Sequence, residues 1–473
     1  MTFQVAQPER VQTLVVGAGL AAYGALAGLV PALPAGARTA VLTGGWLAGR
    51  THLPLAVQDT ADAGALQRFG MPRVRRLGAG GTSHLWHGGL FVPHPSQSLV
   101  RSAANAYTYA CMREDLGQLL AGHQRLLPAV ARHLRTVERS ANAARDDPPW
   151  RRRLLVPRLR WSLAQRDLQQ LGPGVSVDER CVLRLERHGG GWRALACGPA
   201  GFSLLQANTV IVAAGALGTA ALLRASLELL QDMPYSDHLH VFAGVLSRSQ
   251  LPPATAALLQ ARGCGDDLVE HGVLAVEAHD DEGRAVEVSF TLRAVANPDF
   301  PRLGRRFGQL VGANALGVAG KLALAARHPL TTLEMLAYKF GISLPFDALL
   351  VHATVCPHAP VGAVGAHDLA FDPPVRALTG AVERAMQALV PLLGVPDAAL
   401  RRFPREQVAQ SMVSGAQFHA SLGAAAQALR GNAGAGLWVA DTAIFEHTGT
   451  QNQGLLSMCH GYRQGAAAAR LLR

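Results

Sequence analysis

The sequence predicts an α/β protein with two interlocked domains, one of which has a Rossmann-type nucleotide-binding fold. Three observations support this prediction: the length, a strand, glycine turn and helix near the N-terminus, and a second pattern of this kind further along. A chain of 473 residues exceeds the usual size of a single hydrophobic core. With 49% hydrophobic and 16% charged residues, its composition is that of a compact globular protein and not of a disordered one.

The first pattern begins with an apolar run at residues 11–16 (VQTLVV), which is typical of a short buried strand. A Gly-Ala-Gly turn and a helix-like run follow at once. Gly17 permits the tight turn, and Gly19 lets the backbone approach a pyrophosphate. Ala22 and Gly24 are small enough for the helix to pack closely on the strand. The helix N-terminus would then bind the anion, because its free amides and its dipole favour negative charge.

The second strand of such a unit, residues 38–42, normally ends in an acidic residue that binds the adenosine ribose. Here Thr43 stands at that place. The ribose contact is therefore left to Thr43 or to the backbone. The missing carboxylate argues against assigning NAD as the cofactor.

The second pattern is an apolar strand at residues 209–213, followed by Ala214, Gly215 and an Ala/Leu-rich helix. Residues 175–186 (VSVDERCVLRLE) also fit a strand, and residues 285–294 alternate as a half-buried strand does. Residues 175–186 and 209–213 would return the chain to the nucleotide-binding sheet. Residues 285–294 would belong to a second sheet.

Three segments with glycine-rich or strand-ending motifs resemble the glucose-methanol-choline family of FAD-dependent oxidoreductases: 77–90 (LGAGGTSHLWHGGL), 208–226 and 437–454 (LWVADTAIFEHTGTQNQG). The resemblance covers the whole chain. It implies a nucleotide-binding domain built from residues 1–95, 172–246 and 430–473. A substrate domain, in which helices back a sheet, would comprise residues 96–171 and 247–429.

The resemblance implies that FAD is the cofactor. The residues that it places at FAD are Gly17, Gly19, Leu20, Ala22, Thr43, Gly80, Gly81, Thr82, Ser83, His84, Trp86, Val182, Ala214, Gly215, Asp441, Asn452 and Gln453. Some family members attach FAD covalently through a histidine, and this chain has Leu85 at that position, between His84 and His87. We therefore expect noncovalent FAD. The last helix, from about Gly454, would direct its N-terminus at the flavin and stabilise negative charge there.

The resemblance also places two catalytic residues. His419 corresponds to the base that takes the proton of the substrate hydroxyl, and Asn452 to the residue that orients the alcohol oxygen. Histidine suits this role because its ordinary pKa is about 6.5. A histidine that only satisfies backbone groups in the core is the alternative for His419, and His447 is the next candidate for the base. For Asp237 and His238 a structural role is at least as well supported as catalysis.

The predicted function is oxidation of an alcohol to a carbonyl compound, and the Ala, Leu and Val content of residues 247–429 favours an apolar or mid-sized alcohol over a sugar. Two alternatives remain open: a non-redox lyase or decarboxylase on the same fold, and a flavin-bound partner protein without catalysis. The sequence leaves the electron acceptor and the oligomeric state open.

Composition bears on other classes of protein. The net charge of +11 raises the question of an acidic partner, but the arginines are scattered and no nucleic-acid signature surrounds them, so we expect no nucleic-acid partner. The six cysteines lie far apart without metal-ligand spacing, so no metal site is predicted.

Without a signal-peptide pattern, a cytoplasmic location is expected. Residues 309–326 are apolar but are interrupted by Asn314 and Lys321, which predicts a buried or membrane-touching segment and not a transmembrane one.

Overall fold

The structure, a computed structural model, describes residues 7–47, 77–81, 88–92, 94, 107, 109–158, 162–227, 233–265, 267–299, 318–364, 369–414, 419–420, 436–445, 449–450 and 453–472. The α-helices in this part of the chain are α1 (Leu20–Leu29), α2 (Tyr109–Ala121), α3 (Pro128–Ala143), α4 (Gln165–Gln169), α5 (Gly215–Leu227), α6 (Pro253–Leu259), α7 (Val318–Arg327), α8 (Pro329–Phe340), α9 (Val375–Leu393), α10 (Arg405–Ser411) and α11 (Gln453–Leu471). The strands are β1 (Glu9–Val16), β2 (Thr39–Leu42), β3 (Leu90–Val92), β4 (Arg151–Pro157), β5 (Val175–Asp178), β6 (Cys181–His188), β7 (Gly191–Gly198), β8 (Gly201–Val212), β9 (Met233–Ser236), β10 (Leu239–Ser247), β11 (Arg262–Cys264), β12 (Leu268–His279), β13 (Ala285–Ala294), β14 (Ala348–Pro357), β15 (Gly362–Val364), β16 (Leu369–Phe371), β17 (Leu400–Arg402), β18 (Val413–Ser414), β19 (His419–Ala420) and β20 (Leu437–Val439).

The first sheet has a parallel part in the order β5-β2-β1-β8, with β20 beside the end of β8. β7 and β6 extend this sheet in antiparallel fashion from the beginning of β8. The strands of the parallel part end in register, because Val16 lies opposite Leu42 and Val212, Leu42 opposite Asp178, and Val212 opposite Val439. The loops that follow these five strands therefore leave the sheet at the same edge.

The second sheet is antiparallel, in the order β17-β10-β14-β13-β12-β4-β3, with β11 paired to β12 and β18 to β10. Helix α9 packs against β12, β13 and β14 and buries Leu378, Val382 and Leu389. This arrangement is a sheet backed by a helix, as the sequence predicts for the substrate domain. A third, small sheet has the order β16-β15-β9-β19.

Helix α1 packs against α11 through glycines on both helices. A Cβ on Gly24 would lie 2.9 Å from the carbonyl carbon of Met458, and a Cβ on Gly465 would lie 2.7 Å from that of Ala25. Gly28 and Gly461 make equally close backbone approaches. The predicted contact of Gly24 with the strand is therefore wrong, because the structure uses this glycine to bring α11 against α1.

Most predicted elements have the expected type, and their bounds differ in physically clear ways. The strand predicted at 285–294 coincides with β13, and that predicted at 209–213 is the end of the longer β8. The single strand predicted at 175–186 is wrong. It is split in two because β5 pairs with β2 whereas β6 turns to pair with β7.

The predicted domain bounds stay predictions, and the sheets show how the strands are distributed. The strands of the first sheet come from the three segments proposed for the nucleotide-binding domain. Strand β3, and β10 except for Ser247, fall within those segments by number, but both strands pair in the second sheet. Within the described residues, no helix combines the length and the apolar character needed to cross a bilayer.

Candidate functional site

The candidate site is the edge of the first sheet at which the parallel strands end. Parallel strands of this kind present ligand sites beyond their carboxyl ends, where the loops converge. The loops at this edge begin at Gly17, Thr43, Glu179, Ala213 and Ala440. Several residues predicted to contact a cofactor are thus brought to one place from distant parts of the chain.

The first glycine turn has the backbone that a close-approaching anion requires. Gly17 has φ +104°, and its amide donates a hydrogen bond to the Leu42 carbonyl at 2.8 Å. A Cβ at Gly17 would lie 2.6 Å from the Ala213 carbonyl carbon, so only glycine fits there. Gly19 precedes the first turn of α1, which begins at Leu20, and a Cβ at Gly19 would meet no atom of the described residues within 4 Å. Within this part of the chain, the N-terminus of α1 is therefore open to an anion, while Ala22 is fully buried behind it.

Thr43 directly follows β2 and stabilises the turn there through its own hydrogen bonds. Its side-chain oxygen accepts a hydrogen bond from the Gly45 amide at 3.1 Å, and its amide donates to the Asp178 carbonyl at 2.9 Å. Glu179, which directly follows β5, is exposed, and its Cγ lies 3.6 Å from the position of a Cβ on Gly45, so an acidic residue lies near the end of β2. Glu179 was missed in the sequence analysis, because its place depends on the pairing of β5 with β2.

The second glycine-rich loop contacts the first. The Gly80 amide donates to the Ala18 carbonyl at 2.9 Å, and the Gly81 amide donates to the Gly78 carbonyl at 3.1 Å. This places the loop beside the turn that leads into α1, as expected for a loop along the same ligand. The other residues predicted in this loop lie outside the described residues: Thr82, Ser83, His84 and Trp86, with Leu85 and His87.

The strand-turn-helix at the end of β8 joins the same edge. The Ala213 amide donates to the Val16 carbonyl at 2.8 Å, Ala214 follows, and Gly215 begins α5 with φ +75°. Val182, predicted to lie at FAD, is buried in β6 and lies opposite Ala196 of β7. Its contact with FAD stays a prediction.

Asp441 is buried and joins the segment that follows β20 to α5. Its carboxylate accepts hydrogen bonds from the amide of Gly215 at 3.1 Å and from the amide of Ala443 at 3.0 Å, and also from the hydroxyl of Thr219. Burial raises the pKa of Asp441 to about 6, against the lowering effect of these three hydrogen bonds. The predicted cofactor-binding acid thus also fixes the N-terminus of α5 and the short 3-10 helix Thr442–Ile444.

The last helix begins at this same group. Gln453 is its first residue, and its side-chain oxygen accepts a hydrogen bond from the Thr442 hydroxyl at 2.8 Å. Asn452 and His447 lie outside the described residues. The N-terminus of α11 therefore lies beside the segment that follows β20, and its predicted orientation toward a flavin stays a prediction.

The structure describes the backbone of His419, in β19. His419 lies opposite Ser236 of β9, and β19 packs against α5 and the 3-10 helix that follows Asp441. Asp237 and His238, directly after β9, are each only 1% exposed. The backbone of the predicted base is thus close to the segment that leads to α11, and Asp237 and His238 are core residues, which accords with a structural role.

Solved structures match this chain over nearly its whole length. A variant formate oxidase of Aspergillus oryzae, studied for FAD modification, is 11% identical, covers 99% of both chains and has a TM-score of 0.50. The chain has the fold of this formate oxidase. A pyridoxine 4-oxidase from Mesorbium loti is 13% identical, covers 96% of this chain and 98% of its own, and has a TM-score of 0.46. No protein-family model and no curated protein matches the sequence.

The fold shared with formate oxidase confirms the α/β fold class predicted from the sequence. In this fold the aligned strand ends gather the turn at Gly17, the loop at Gly80 and the start of α11 at one edge. Among the described residues, no cluster of three or more His, Cys, Asp or Glu side chains could hold a metal ion.

Asp441→Asn is expected to gain stability relative to the unchanged protein as the pH rises. Because burial raises the folded-state pKa of Asp441 from 3.8 to about 6, the uncharged carboxyl is favoured by folding. The contribution of the Asp441 carboxyl to the free energy of unfolding is complete below about pH 4 and is lost as the pH rises through about 6. Asparagine stays uncharged, so the difference in free energy of unfolding should change by roughly 3 kcal/mol between these limits. Urea unfolding across this pH range measures it.

Thr219→Val provides the matched variant for this experiment. It removes a hydrogen bond that lowers the pKa of Asp441, so the loss of stability should move to higher pH. Parallel pH profiles for the unchanged protein and Asp441→Asn would show that Asp441 does not titrate in this range.

Proposed function

We propose that this protein is an FAD-dependent oxidoreductase that oxidises an alcohol to a carbonyl compound. The observation that carries the proposal is the convergence of separate glycine turns and the N-terminus of α11 on one edge of a parallel sheet. A long, flat dinucleotide needs contacts along its whole length, and the loops at this edge come from five strands.

The residues at this edge fit FAD at both of its ends. The open N-terminus of α1 at Gly19 has free amides and a positive dipole end for the pyrophosphate. Glu179 supplies a carboxylate for the ribose, in place of the acid that β2 lacks. The N-terminus of α11, at Gln453, would stabilise negative charge on the flavin ring. With Leu85 at the position of the family's covalent histidine, FAD is held noncovalently.

The chemical step divides between cofactor and protein. FAD, when bound, supplies the hydride acceptor. His419 takes the proton of the substrate hydroxyl, and Asn452 donates a hydrogen bond that orients the alcohol oxygen. The backbone of His419, beside the segment that carries Asp441 and leads to α11, supports this assignment. The Ala, Leu and Val content of residues 247–429 favours an apolar alcohol as the substrate.

The decisive experiment is anaerobic mixing of the FAD-loaded protein with a panel of alcohols, followed through the visible absorption of the oxidised flavin. Loss of this absorption, with formation of the aldehyde or ketone, is the expected result. Product formation with unchanged oxidised flavin would instead assign a non-redox lyase or decarboxylase. If neither flavin reduction nor product formation were observed, the protein would be assigned as a flavin-bound partner protein without catalysis. A colourless protein that does not take up added FAD would overturn the proposal altogether.

Gly19→Asp is expected to weaken FAD binding by at least about 100-fold, because it places a carboxylate where the pyrophosphate would bind. A side chain fits at this position without a clash, and aspartate is a favourable residue before a helix, so the fold should be retained or stabilised. The measurement is a titration with FAD, followed by quenching of flavin fluorescence, beside a thermal unfolding curve without FAD.

Gly19→Asn is the matched control, since it has almost the same shape and also favours the start of a helix but carries no charge. It should weaken FAD binding much less than Gly19→Asp. Equal affinities for Gly19→Asp and the unchanged protein would show that no pyrophosphate binds at α1.

A further inference from the structure

The hairpin of α7 and α8 exposes an unusual concentration of apolar side chains. Among the described residues, large hydrophobic side chains that are exposed number eight, and six of them lie between residues 318 and 342. These six are Leu322, Leu330, Leu333, Leu336, Phe340 and Ile342. Their exposed fractions run from 37% at Phe340 to 65% at Leu322. A concentration of exposed apolar side chains of this kind commonly marks a site of interaction with a partner or a membrane.

The apolar residues of α8 share one side of the helix. Leu330, Leu333, Leu336 and Phe340 are spaced by three or four residues, which places them along one stripe. We name this stripe, together with Leu322 and Ile342, the apolar face of the hairpin.

The other side of α8 is anchored on the second sheet. The guanidinium of Arg293 lies 4.3 Å from the centre of the Tyr338 ring, and the His271 and Tyr338 rings stack at 4.0 Å. The Glu334 carboxylate accepts a hydrogen bond from the Ala296 amide at 2.8 Å. Helix α8 is therefore held in a defined orientation, with its apolar face directed away from the sheet.

The charges near the apolar face are mostly positive. Between residues 318 and 342 the sequence has three Lys or Arg residues and one acidic residue, Glu334. The Glu334 carboxylate accepts the hydrogen bond from the Ala296 amide. Lys321, Leu322 and Arg327 are all exposed on α7, so cationic and apolar side chains share this surface. The whole chain carries a net charge of +11, which acts in the same direction.

We propose that the α7–α8 hairpin docks this protein on an anionic membrane surface, with the apolar face inserted between the lipid headgroups. Apolar residues on one side of a helix with Lys and Arg beside them are the pattern of helices that lie in the plane of a bilayer. Neither helix is long and apolar enough to cross the bilayer. The apolar face supplies the insertion, and Lys321 and Arg327 pair with lipid phosphates.

The charges favour lipid over a second copy of the chain. Pairing this surface with itself would bring Lys321 and Arg327 toward the same residues of another molecule, and like charges at an interface are unfavourable. An anionic bilayer offers complementary charge together with an apolar layer. The proposal does not depend on the proposed function.

The test is sedimentation of the purified protein with vesicles of phosphatidylcholine alone or mixed with phosphatidylglycerol. We expect binding to the mixed vesicles and weak binding to pure phosphatidylcholine, with a decrease in high salt. Leu333→Ser combined with Leu336→Ser should lower the partition coefficient at least about tenfold. Phe202→Ser is the matched control, because Phe202 is 68% exposed on β8 and should leave binding unchanged.

A fluorescence experiment reports insertion at the level of a single residue. Leu333→Trp should show a blue-shifted emission upon addition of mixed vesicles, whereas Phe202→Trp should not. The proposal is overturned if the unchanged protein stays in the supernatant at large lipid excess, or if the double serine variant binds as well as the unchanged protein. It is also overturned if the serine variant converts an oligomer to a monomer without any vesicle binding, which would make this surface an interface between copies.

Discussion

Gly465→Ala is expected to destabilise the protein by more than about 3 kcal/mol, because the added methyl group has no room between two helices. The Cβ of residue 465 would lie 2.7 Å from the Ala25 carbonyl carbon and 2.9 Å from its Cα. The obstacle is backbone of α1, which cannot move aside as a flexible side chain can. Either α11 separates from α1 or both helices shift, and each change disturbs the loops at Gly19 and Gln453. Urea unfolding and FAD titration measure the two effects.

Gly117→Ala is the matched control for this substitution. Gly117 also lies inside a helix, α2, but a Cβ there would meet no atom within 4 Å. Alanine is the better helix former, so this variant should be as stable as the unchanged protein or more stable by up to about 1 kcal/mol. If the two variants were equally stable, the close approach of α1 and α11 would be wrong.

His419→Ala is expected to lower kcat for alcohol oxidation by between about 100-fold and 10,000-fold, the range associated with loss of a general base. FAD affinity should stay the same, because the proposed role of His419 is toward the substrate. The measurement is the rate of flavin reduction after anaerobic mixing with the alcohol. The pH dependence that reflects deprotonation of the base should also disappear in the variant.

His447→Ala tests the competing assignment of the base. If His419 is the base, this variant should retain most of its rate of flavin reduction. The opposite outcome, a slow His447→Ala and a fast His419→Ala, would transfer the role to His447. Equal and small effects of both substitutions would argue against proton removal by either histidine.

The features that the sequence predicted well are those set by local backbone requirements. The turn at Gly17 and the start of α5 at Gly215 both have positive φ values, which a glycine pattern indicates directly. Strand β13 was predicted by its alternation of apolar and polar residues, and the end of β8 by its apolar run. These signals lie within a few neighbouring residues, so a single sequence is enough to detect them.

The features that the sequence did not predict depend on which segments meet. Gly24 was correctly identified as a site of close packing, but its partner is α11 and not the strand. Glu179 reaches the end of β2 because β5 pairs with β2, and no local pattern announces this pairing. Asp441 was predicted as a ligand of the cofactor, whereas its hydrogen bonds to Gly215 and Thr219 became visible only in the fold.

The contact between α1 and α11 has a consequence for biosynthesis. Strand β1 and α1 leave the ribosome long before β20 and α11 are made. In the fold, however, β1 and β20 belong to the same sheet, and α1 packs against α11. The surface of α1 around Gly24 therefore stays without α11, the helix that covers it, throughout most of translation. A nascent chain of this kind exposes an apolar helix for that whole interval, so its yield in cells should depend on chaperones that bind unfinished polypeptides.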